Sequence, residues 1–248
     1  MSGAYSARVL VLRKTKLGES DLIVTALDSE GHQVRAVAKG ARKPGSRFCG
    51  RVEPFTVLDC LFARGRTLDV MTEAETVATH EALRRDYDSV RAASVVADFL
   101  DRVTADADAD PRLFELGVAT ISALETAPAE AAPTLVAAFL VKGMAMIGLR
   151  PVLAGCVSCG AECEEPKAFS VSGGGVVCQK CAAGDPDAVA TSPGLSSALA
   201  WLLRARLAEA AADPLAAQAC REALVVLRAF VTRHIPARMR ALDEYVRG

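Results

Sequence analysis

Aromatic residues are scarce in this chain of 248 residues, at 5% of the total, with eight Phe, three Tyr and one Trp. A binding site built mainly from stacked rings is therefore not expected. Histidine is also rare, and His32, His80 and His234 are too far apart in the sequence to form a metal-ligand motif. The sequence contains no Walker phosphate loop and no G-x-S-x-G nucleophile motif. These absences argue against an ATP-driven enzyme and against a nuclease.

Long uncharged apolar runs are absent as well. The apolar run at the N-terminus is only a few residues long, and no later stretch reaches the ~18 uncharged apolar residues that a membrane span needs. We therefore expect neither a signal peptide nor a membrane anchor, and we predict a soluble, cytoplasmic protein. Eight cysteines are too few for a disulfide scaffold of this length, so their spacing decides what they do.

The net charge is close to zero, at −1 from 29 basic and 30 acidic residues, which excludes a uniformly basic nucleic-acid binder. The charges are nevertheless unevenly distributed. Residues 1–79 hold 12 basic and 9 acidic side chains, whereas the remainder holds 17 and 21. The stretch 35–51 contains six basic residues and no acid. Such a cluster indicates contacts with nucleic-acid phosphates, and the alternative is a set of solvated loops.

The first 79 residues alternate between apolar and polar side chains in short runs separated by turn signals, which predicts strands. We place five strands at 8–12, 22–27, 34–39, 52–62 and 67–72. Five short antiparallel strands in fewer than 80 residues suit a barrel of the OB type, a fold that binds oligonucleotides. We therefore expect an α+β protein whose residues 1–79 form an OB-fold DNA-binding domain.

From residue 80 onward the apolar spacing changes to three and four residues, which predicts helices. Pro111 and Pro133 mark helix starts, and Pro236 marks a break before a C-terminal helix. We expect a helical domain over residues 80–248, with a cysteine-rich module inserted at about 152–185.

Two C-x2-C pairs, Cys156 with Cys159 and Cys178 with Cys181, are separated by 18 residues. Each pair can place two thiolates on one metal ion, and four thiolates in a tetrahedron suit Zn²⁺. The glycines at 173–175 predict a small hairpin between the pairs, as in a zinc ribbon. Because four thiolates leave no coordination position for water, the predicted role is structural, with one Zn²⁺ per chain.

The four cysteines also allow interpretations other than a zinc site. An iron–sulfur cluster also uses four cysteines, but the paired spacing favours zinc, and structural disulfides are not expected in a reducing cytosol. Cys163 is a fifth cysteine in the module, and its spacing from Cys159 fits a metal-binding turn less well. Cys49, Cys60 and Cys220 have no partner at metal spacing and are expected to be small buried residues.

Several short motifs together resemble the bacterial RecO family of recombination mediators. Around the cysteines these are Gly-Leu-Arg-Pro at 148–151, Leu153, the first cysteine pair followed by Gly160, Phe-Ser at 169–170, two glycines at 173–174, and Val177 before the second pair. Upstream they are Gly-Glu-Ser-Asp at 18–21, Gly31, Lys-Gly-Ala-Arg at 39–42 and Pro-Phe at 54–55. The resemblance spans the chain with the motifs in the family's order.

The resemblance implies an N-terminal OB-fold domain followed by a helical domain that carries the zinc module. It also implies a non-catalytic protein that binds single- and double-stranded DNA and anneals complementary strands. The expected partners are RecR, often RecF, and the acidic C-terminal tail of the single-stranded-DNA-binding protein SSB. With them the protein would load the RecA recombinase onto DNA that is coated by SSB. A different class of function is a zinc-ribbon scaffold that binds proteins and contacts DNA only incidentally.

The candidate DNA-binding residues are the basic side chains of the predicted barrel: Arg13, Lys14, Lys16, Arg35, Lys39, Arg42, Lys43, Arg47, Arg51, Arg64 and Arg66. Phe48, inside the basic stretch, is the candidate for stacking on a base, whereas Phe55 and Phe62 are expected in the core. A second basic surface is formed in sequence by Arg228, Arg233, Arg238 and Arg240. It would be a solvated face, an extension of the DNA path or a site for an acidic peptide.

Overall fold

The computed structural model of the chain describes residues 3–105, 108–163, 166 and 168–248. The chain divides into two compact units, Met1–Glu125 and Thr126–Gly248. Each unit has its own core.

The first unit begins with five strands, β1 (Ala4–Leu17), β2 (Asp21–Asp28), β3 (Gln33–Ala38), β4 (Val57–Ala63) and β5 (Asp69–Ala78). They form a closed barrel in the order β1-β2-β3-β5-β4. The pairing of β3 with β5 is parallel, with Ala36 opposite Asp69, whereas the other neighbours are antiparallel. The expected OB-type barrel is confirmed, and the expectation that all its strands are antiparallel is wrong for this one pair.

The alternation in the sequence becomes the inside and outside of this barrel. Val34, Ala36 and Ala38 of β3 are buried in the barrel core, while Arg35 between them is exposed. Because side chains on a strand point to opposite faces in turn, burying the alanines fixes Arg35 outside. The core also takes in Phe48 and Val52 from the long connection between β3 and β4.

The strand predicted at 52–62 is shorter in the structure, because β4 begins at Val57. Phe55 has a positive φ of 72°, a conformation that cannot continue a strand. Its carbonyl accepts a hydrogen bond from His80, at 2.8 Å from Nδ1, which holds this bend in place. Phe55 and Phe62 are 6% and 0% exposed, so their expected core positions are confirmed.

Two helices complete the first unit, α1 (Tyr87–Val103) and α2 (Pro111–Thr126). Asp86 caps α1 by accepting a hydrogen bond from the Ser89 N–H at 2.8 Å, as N-cap residues do. Gly117 of α2 lies against Leu10 and Leu100, where a Cβ would come within 2.6 Å of a Leu100 methyl carbon. The helix start predicted at Pro111 is confirmed.

The second unit is built around α3 (Ala132–Met146), whose apolar residues are almost all buried. The other helices are α4 (Gln179–Ala182), α5 (Leu195–Arg204), α6 (Leu207–Ala212), α7 (Ala217–His234) and α8 (Arg240–Arg247). A small sheet in the order β7-β6-β8 is formed by β6 (Ala168–Ser170), β7 (Gly175–Val177) and β8 (Ala188–Ala190). The predicted break near Pro236 separates α7 from α8 and is confirmed.

The stretch Ala129–Met146 is long and apolar enough, by length and composition, to cross a membrane. However, 67% of it is buried inside the protein. It packs against α5, α6 and α7 of its own unit, as the central helix of a folded core does.

Gly31 offers a test of how tightly the first unit is packed. Its φ is +92°, and a Cβ there would lie 2.3 Å from the backbone nitrogen of Asp110. We expect Gly31→Ala to lower the free energy of unfolding by ~2 kcal/mol or more, measured by urea denaturation. Gly18→Ala is the control, because Gly18 has a φ of +57° but nothing within 4 Å of its Cβ position. Gly18→Ala should lower the free energy of unfolding by only ~1 kcal/mol. Equal losses of stability for the two variants would contradict the close packing of Gly31 against Asp110.

Candidate metal centre and nucleic-acid interface

The four predicted ligands come together in space. The Sγ atoms of Cys156, Cys159, Cys178 and Cys181 all lie within 4.8 Å of one another, and those of Cys159 and Cys178 are 3.9 Å apart. Four thiols at such separations fit around a single metal ion, and they are the donor set of closed, tetrahedral sites. The arrangement can therefore hold a metal ion, and with four sulfur ligands it has no position left for a reacting water.

Backbone hydrogen bonds shape the turn that carries the first pair. The Cys156 N–H donates to the Ala161 carbonyl and the Gly160 N–H donates to the Cys156 carbonyl, both at 2.8 Å. Gly160 has a φ of +74°, which a glycine adopts without strain. The chain thus reverses within six residues and leaves both sulfurs of the pair on the same side.

The second pair lies at the start of α4 and after the predicted hairpin. Strands β6 and β7 pair antiparallel, with Phe169 opposite Val176, and the Ser170 Oγ accepts a hydrogen bond from the Gly173 N–H at 3.0 Å in the turn. The hairpin is therefore confirmed. The third strand, β8, was missed because its three residues give no alternating pattern long enough to detect.

The thiols influence one another strongly. N–H groups of the site, that of Cys178 most and those of Cys159 and Ser158 less, lower the pKa of Cys156 to about 6. The neighbouring thiols, that of Cys178 most, raise the pKa of Cys181 to about 12. The backbone thus favours the thiolate of Cys156, and the neighbouring thiols disfavour that of Cys181. A bound cation would remove this repulsion.

The remaining cysteines are not part of the cluster of four. Cys163 lies beside it, and its thiol donates to the Ala161 carbonyl at 3.6 Å. Cys60 and Cys220 are buried, as expected. Cys49 is exposed, so the expectation that it is buried is wrong. The reason is that the chain turns there, placing the neighbouring Phe48 in the core instead.

The cysteine module is attached to α7 through an aromatic and a polar contact. The rings of Phe169 and Phe230 meet edge to face with centroids 5.6 Å apart. The His234 Nε2 lies 2.8 Å from the Val171 carbonyl, to which its N–H donates. These contacts hold β6 and the turn after it against the end of α7.

About half of the predicted DNA-binding residues already have partners within the first unit. Arg13 is 2.7 Å from the nearly buried Asp101, and Lys14 pairs with Glu53. The others that interact with the protein itself do so through carbonyls or rings: Arg42 with the carbonyls of Gly18 and Glu19, Arg51 with that of Ala74, Arg47 with the ring of Phe48, and Arg64 with the ring of Tyr5. These groups have less freedom to bind phosphate than their charge alone suggests.

Five of the predicted residues are exposed and make no ion pair or hydrogen bond through their side chains with any residue that the structure describes. These are Lys16, Arg35, Lys39, Lys43 and Arg66. Lys16 is near the end of β1, and Lys39 and Lys43 follow β3 at the same end of the barrel, since Leu22 at the start of β2 pairs with both Lys16 and Ala38. Arg66 lies in the β4–β5 turn.

Strand β3 connects these two ends of the barrel. By alternation Arg35 and Val37 share the outer face, and Lys39 continues it just past the strand. Val37 pairs with Ile23 on one side and with Val70 on the other, and all three are partly exposed. The outer face of β3 therefore presents two cations with a small apolar strip between them, which the sequence pattern did not reveal.

Acidic and basic side chains share a groove on the barrel. This groove of about 590 Å³ is lined by three acids and three arginines: Asp59, Glu73, Glu75, Arg8, Arg47 and Arg51. Arg8 binds Asp59 through two hydrogen bonds of 2.8 Å, and this contact lowers the pKa of that carboxyl group. A second groove is lined by Arg35 and Arg66 together with Asp28, Glu30 and Asp69, so acidic side chains also lie near one end of the outer face of β3.

Phe48 is 1% exposed and belongs to the barrel core, with the guanidinium of Arg47 lying 5.1 Å from its ring centre. No face of the ring is open to a base, so the expectation that Phe48 stacks on DNA is wrong. The apolar side chain fills the barrel beneath the connection between β3 and β4, and this burial outweighs exposure to a ligand.

The basic residues near the C-terminus are partly occupied. Arg228 and Arg238 both bind Asp243 of α8, with nitrogen–oxygen distances of 2.7 and 3.3 Å. Arg233 lies 3.8 Å from Asp187. The two contacts to Asp243, which lower the pKa of that carboxyl group, tie α8 to its own unit. Arg240 begins α8 and is exposed.

Sequence reasoning missed one acidic residue next to the basic cluster. The Asp21 carboxylate accepts the Gly40 N–H at 2.7 Å and the Ser20 hydroxyl at 2.9 Å. These bonds, that from Gly40 most, lower the pKa of Asp21. A sequence signal for this contact is that Asp21 is the last residue of the motif at 18–21 and Gly40 belongs to the motif at 39–42.

The cysteine cluster makes a direct prediction. We expect the protein to bind about one divalent metal ion per chain and Cys178→Ser to lose it, because three thiols cannot complete the tetrahedron. The variant should also unfold at a lower temperature. Metal content by mass spectrometry and thermal unfolding measure both effects. Cys163→Ser is the matched control and should keep its metal; loss of metal from the control but not from Cys178→Ser would contradict the ligand set.

Two family models match the two parts of the chain in sequence. The family model described as recombination protein O N terminal matches residues 1–80, and that described as recombination protein O C terminal matches residues 84–243. The DNA repair protein RecO of Anaeromyxobacter dehalogenans (strain 2CP-C) is 37% identical over 241 residues, covering 95% of this chain and 94% of that protein.

Two further relatives with the same name come from other bacteria. RecO of Nocardioides sp. (strain JS614) is 33% identical over 246 residues, covering 96% of this chain and 97% of that protein. RecO of Bifidobacterium longum (strain NCC 2705) is 38% identical over 178 residues, covering 71% and 73%. With a barrel of the OB type, a cluster of four cysteines and family matches over most of its length, the chain belongs to the RecO family of DNA repair proteins.

Proposed function

We propose that this protein binds single- and double-stranded DNA and anneals complementary strands as a recombination mediator. The observation that carries the proposal is a row of exposed cations that runs from Lys43 and Lys39 along the outer face of β3 to Arg35. Their side chains pair with no residue in the described part of the chain. Each contact between such a cation and a phosphate releases counterions, which favours binding without regard to sequence.

A single strand would lie along β3. Residues on an extended strand rise by ~3.3 Å each, so Arg35 and Lys39, four residues apart, are separated by ~13 Å and would contact different phosphates. Between them Ile23, Val37 and Val70 offer partly exposed apolar surface to the bases. Because this surface is aliphatic and no ring of the basic stretch is open, base stacking contributes little and phosphates dominate the affinity.

For the cysteine cluster we propose one structural Zn²⁺ per chain, held by Cys156, Cys159, Cys178 and Cys181. A closed set of four thiolates supplies no site for substrate, so the ion's contribution is to the folding of the module. The DNA-directed function needs no covalent step, and we propose a non-catalytic protein.

The family suggests further partners. We propose that the protein works with RecR and RecF, receives the acidic tail of SSB, and helps to load RecA onto SSB-coated DNA. It would do so in the cytoplasm, associated with the nucleoid. The proposed division of labour assigns DNA binding to residues 1–79 and places the zinc module, residues 152–185, within a helical domain over residues 80–248.

The experiment is a salt titration of binding to fluorescent single-stranded DNA, followed by anisotropy. We expect log affinity to fall linearly with log salt, and the double variant Arg35→Ala, Lys39→Ala to flatten this slope by about 1.4, the value for two lost phosphate contacts. The matched control is the double variant Arg85→Ala, Arg112→Ala. It removes two exposed cations, one just before α1 and one in α2, and should leave the slope unchanged.

Lack of measurable binding at low salt would overturn the proposal and would favour a zinc-ribbon scaffold that binds proteins. Equal slopes for the two double variants would also contradict it, since net charge alone would then explain the affinity. Annealing of complementary strands without ATP, followed by fluorescence, tests the second half of the proposal. A requirement for ATP would contradict the non-catalytic role.

A further inference from the structure

The β1–β2 turn and the segment 39–51, here called the basic loop, are joined by several hydrogen bonds. Asp21, at the start of β2, accepts the Gly40 N–H at 2.7 Å. The Arg42 N–H donates to the Ser20 carbonyl at 2.9 Å. The two segments are therefore fastened to each other on both sides of Ala41, which is itself 5% exposed.

The Arg42 side chain adds to this junction. Its Nη1 lies 2.9 Å from the Glu19 carbonyl and 3.3 Å from the Gly18 carbonyl. These carbonyls lie in the turn that follows β1, outside the paired residues of the two strands, and the guanidinium provides them with a hydrogen-bond donor. The guanidinium of Arg42 thus donates hydrogen bonds to the protein itself, although the sequence predicts Arg42 to be a DNA contact.

The far end of the basic loop is held by apolar burial. Phe48 and Val52 are each 1% exposed and lie in the barrel core. Between the buried Phe48 and the junction at Gly40, the side chains of Lys43 and Arg47 remain exposed. Lys39 lies just before the junction. Fixing the loop at both ends fixes where these three cations are displayed.

We propose that Asp21 is a positioning residue for DNA binding, which holds the basic loop in the conformation that presents Lys39 and Lys43 to a strand. This role rests on the proposed DNA-binding function. The positioning role and the charge of Asp21 predict opposite effects of its removal on DNA affinity. A carboxylate beside two lysines repels phosphate, so its removal should strengthen binding if electrostatics decided the outcome. If positioning decides, removal weakens binding.

Two variants of Asp21 separate these possibilities, because they carry the same charge. Asp21→Asn keeps an oxygen that can accept the Gly40 N–H, whereas Asp21→Ala does not. We expect the Asn variant to bind single-stranded DNA at least as tightly as the unaltered chain. The Ala variant should bind about tenfold more weakly than the Asn variant, the consequence of one lost hydrogen bond that orders the loop.

Glu19→Gln is the matched control. It removes one negative charge from the same turn, where the Glu19 side chain is exposed and only its backbone carbonyl contacts Arg42. We expect this variant to bind DNA as tightly as the unaltered chain or more tightly. Anisotropy at one fixed salt concentration gives all four affinities.

Trypsin provides a readout that does not involve DNA. The basic loop offers cleavage sites after Lys39, Arg42 and Arg47, and we expect them to be cut faster in Asp21→Ala than in Asp21→Asn. Thermal unfolding identifies a variant that fails to fold, and Asp21→Ser, whose shorter side chain does not reach Gly40, then replaces Asp21→Ala.

The outcomes distinguish this inference from the function on which it rests. Absence of DNA binding by the unaltered chain would overturn both. If the unaltered chain binds, equal affinities and equal cleavage of the Ala and Asn variants would overturn the positioning role alone. Tighter binding by Asp21→Ala, as by Glu19→Gln, would show that charge decides and would overturn it as well.

Discussion

The first unit depends on the parallel pairing of β3 with β5, which closes the barrel. This pairing leaves β3 between β2 and β5, so both edges of the strand are used and only its two faces differ. Val34, Ala36 and Ala38 occupy the inner face. A shift of register by one residue would bury Arg35 and expose the alanines, which the cost of burying a charge forbids. The cationic outer face is therefore a consequence of how the core is packed.

Some acids of the first unit form local hydrogen bonds and make no ion pair with the exposed cations of the barrel that the structure describes. Asp28 accepts the N–H groups of Glu30 and His32 in the β2–β3 turn, and Asp69 accepts the Tyr5 hydroxyl and the Gly65 N–H. These carboxylates stabilise turns instead of pairing with the free lysines and arginines. The formal charge of −1 thus says little about the potential at any one face.

The cysteine module follows a different rule from the barrel. Its three strands have three residues each, and among the residues that the structure describes the buried members of its core cluster are Cys156, Ala168 and Val177. So little apolar surface cannot stabilise an independent fold, and structures of this size use metals or disulfides for that purpose. The four thiols bring the two ends of the module close together in space. The contact of Phe169 with Phe230 holds the module against α7.

The sequence predicted the barrel, the principal helix starts and the hairpin between the cysteine pairs, since each depends on the spacing of nearby residues. It placed the start of β4 five residues too early because the left-handed bend at Phe55 leaves no mark in the alternation. It also took Phe48 for an exposed ring. Whether an aromatic side chain in a loop turns inward depends on the space left by the strands, and that space is formed by residues far along the chain.

The sequence by itself determined which residues of β3 share a face and which four thiols can reach one ion, because a period of two and a C-x2-C spacing are properties of the local chain. Only the tertiary structure decided which cations are free. Arg13 finds its partner Asp101 88 residues away, and Arg42 finds carbonyls 23 and 24 residues away. Folding brings such groups together from distant segments, so no pattern of neighbouring residues records the pairing.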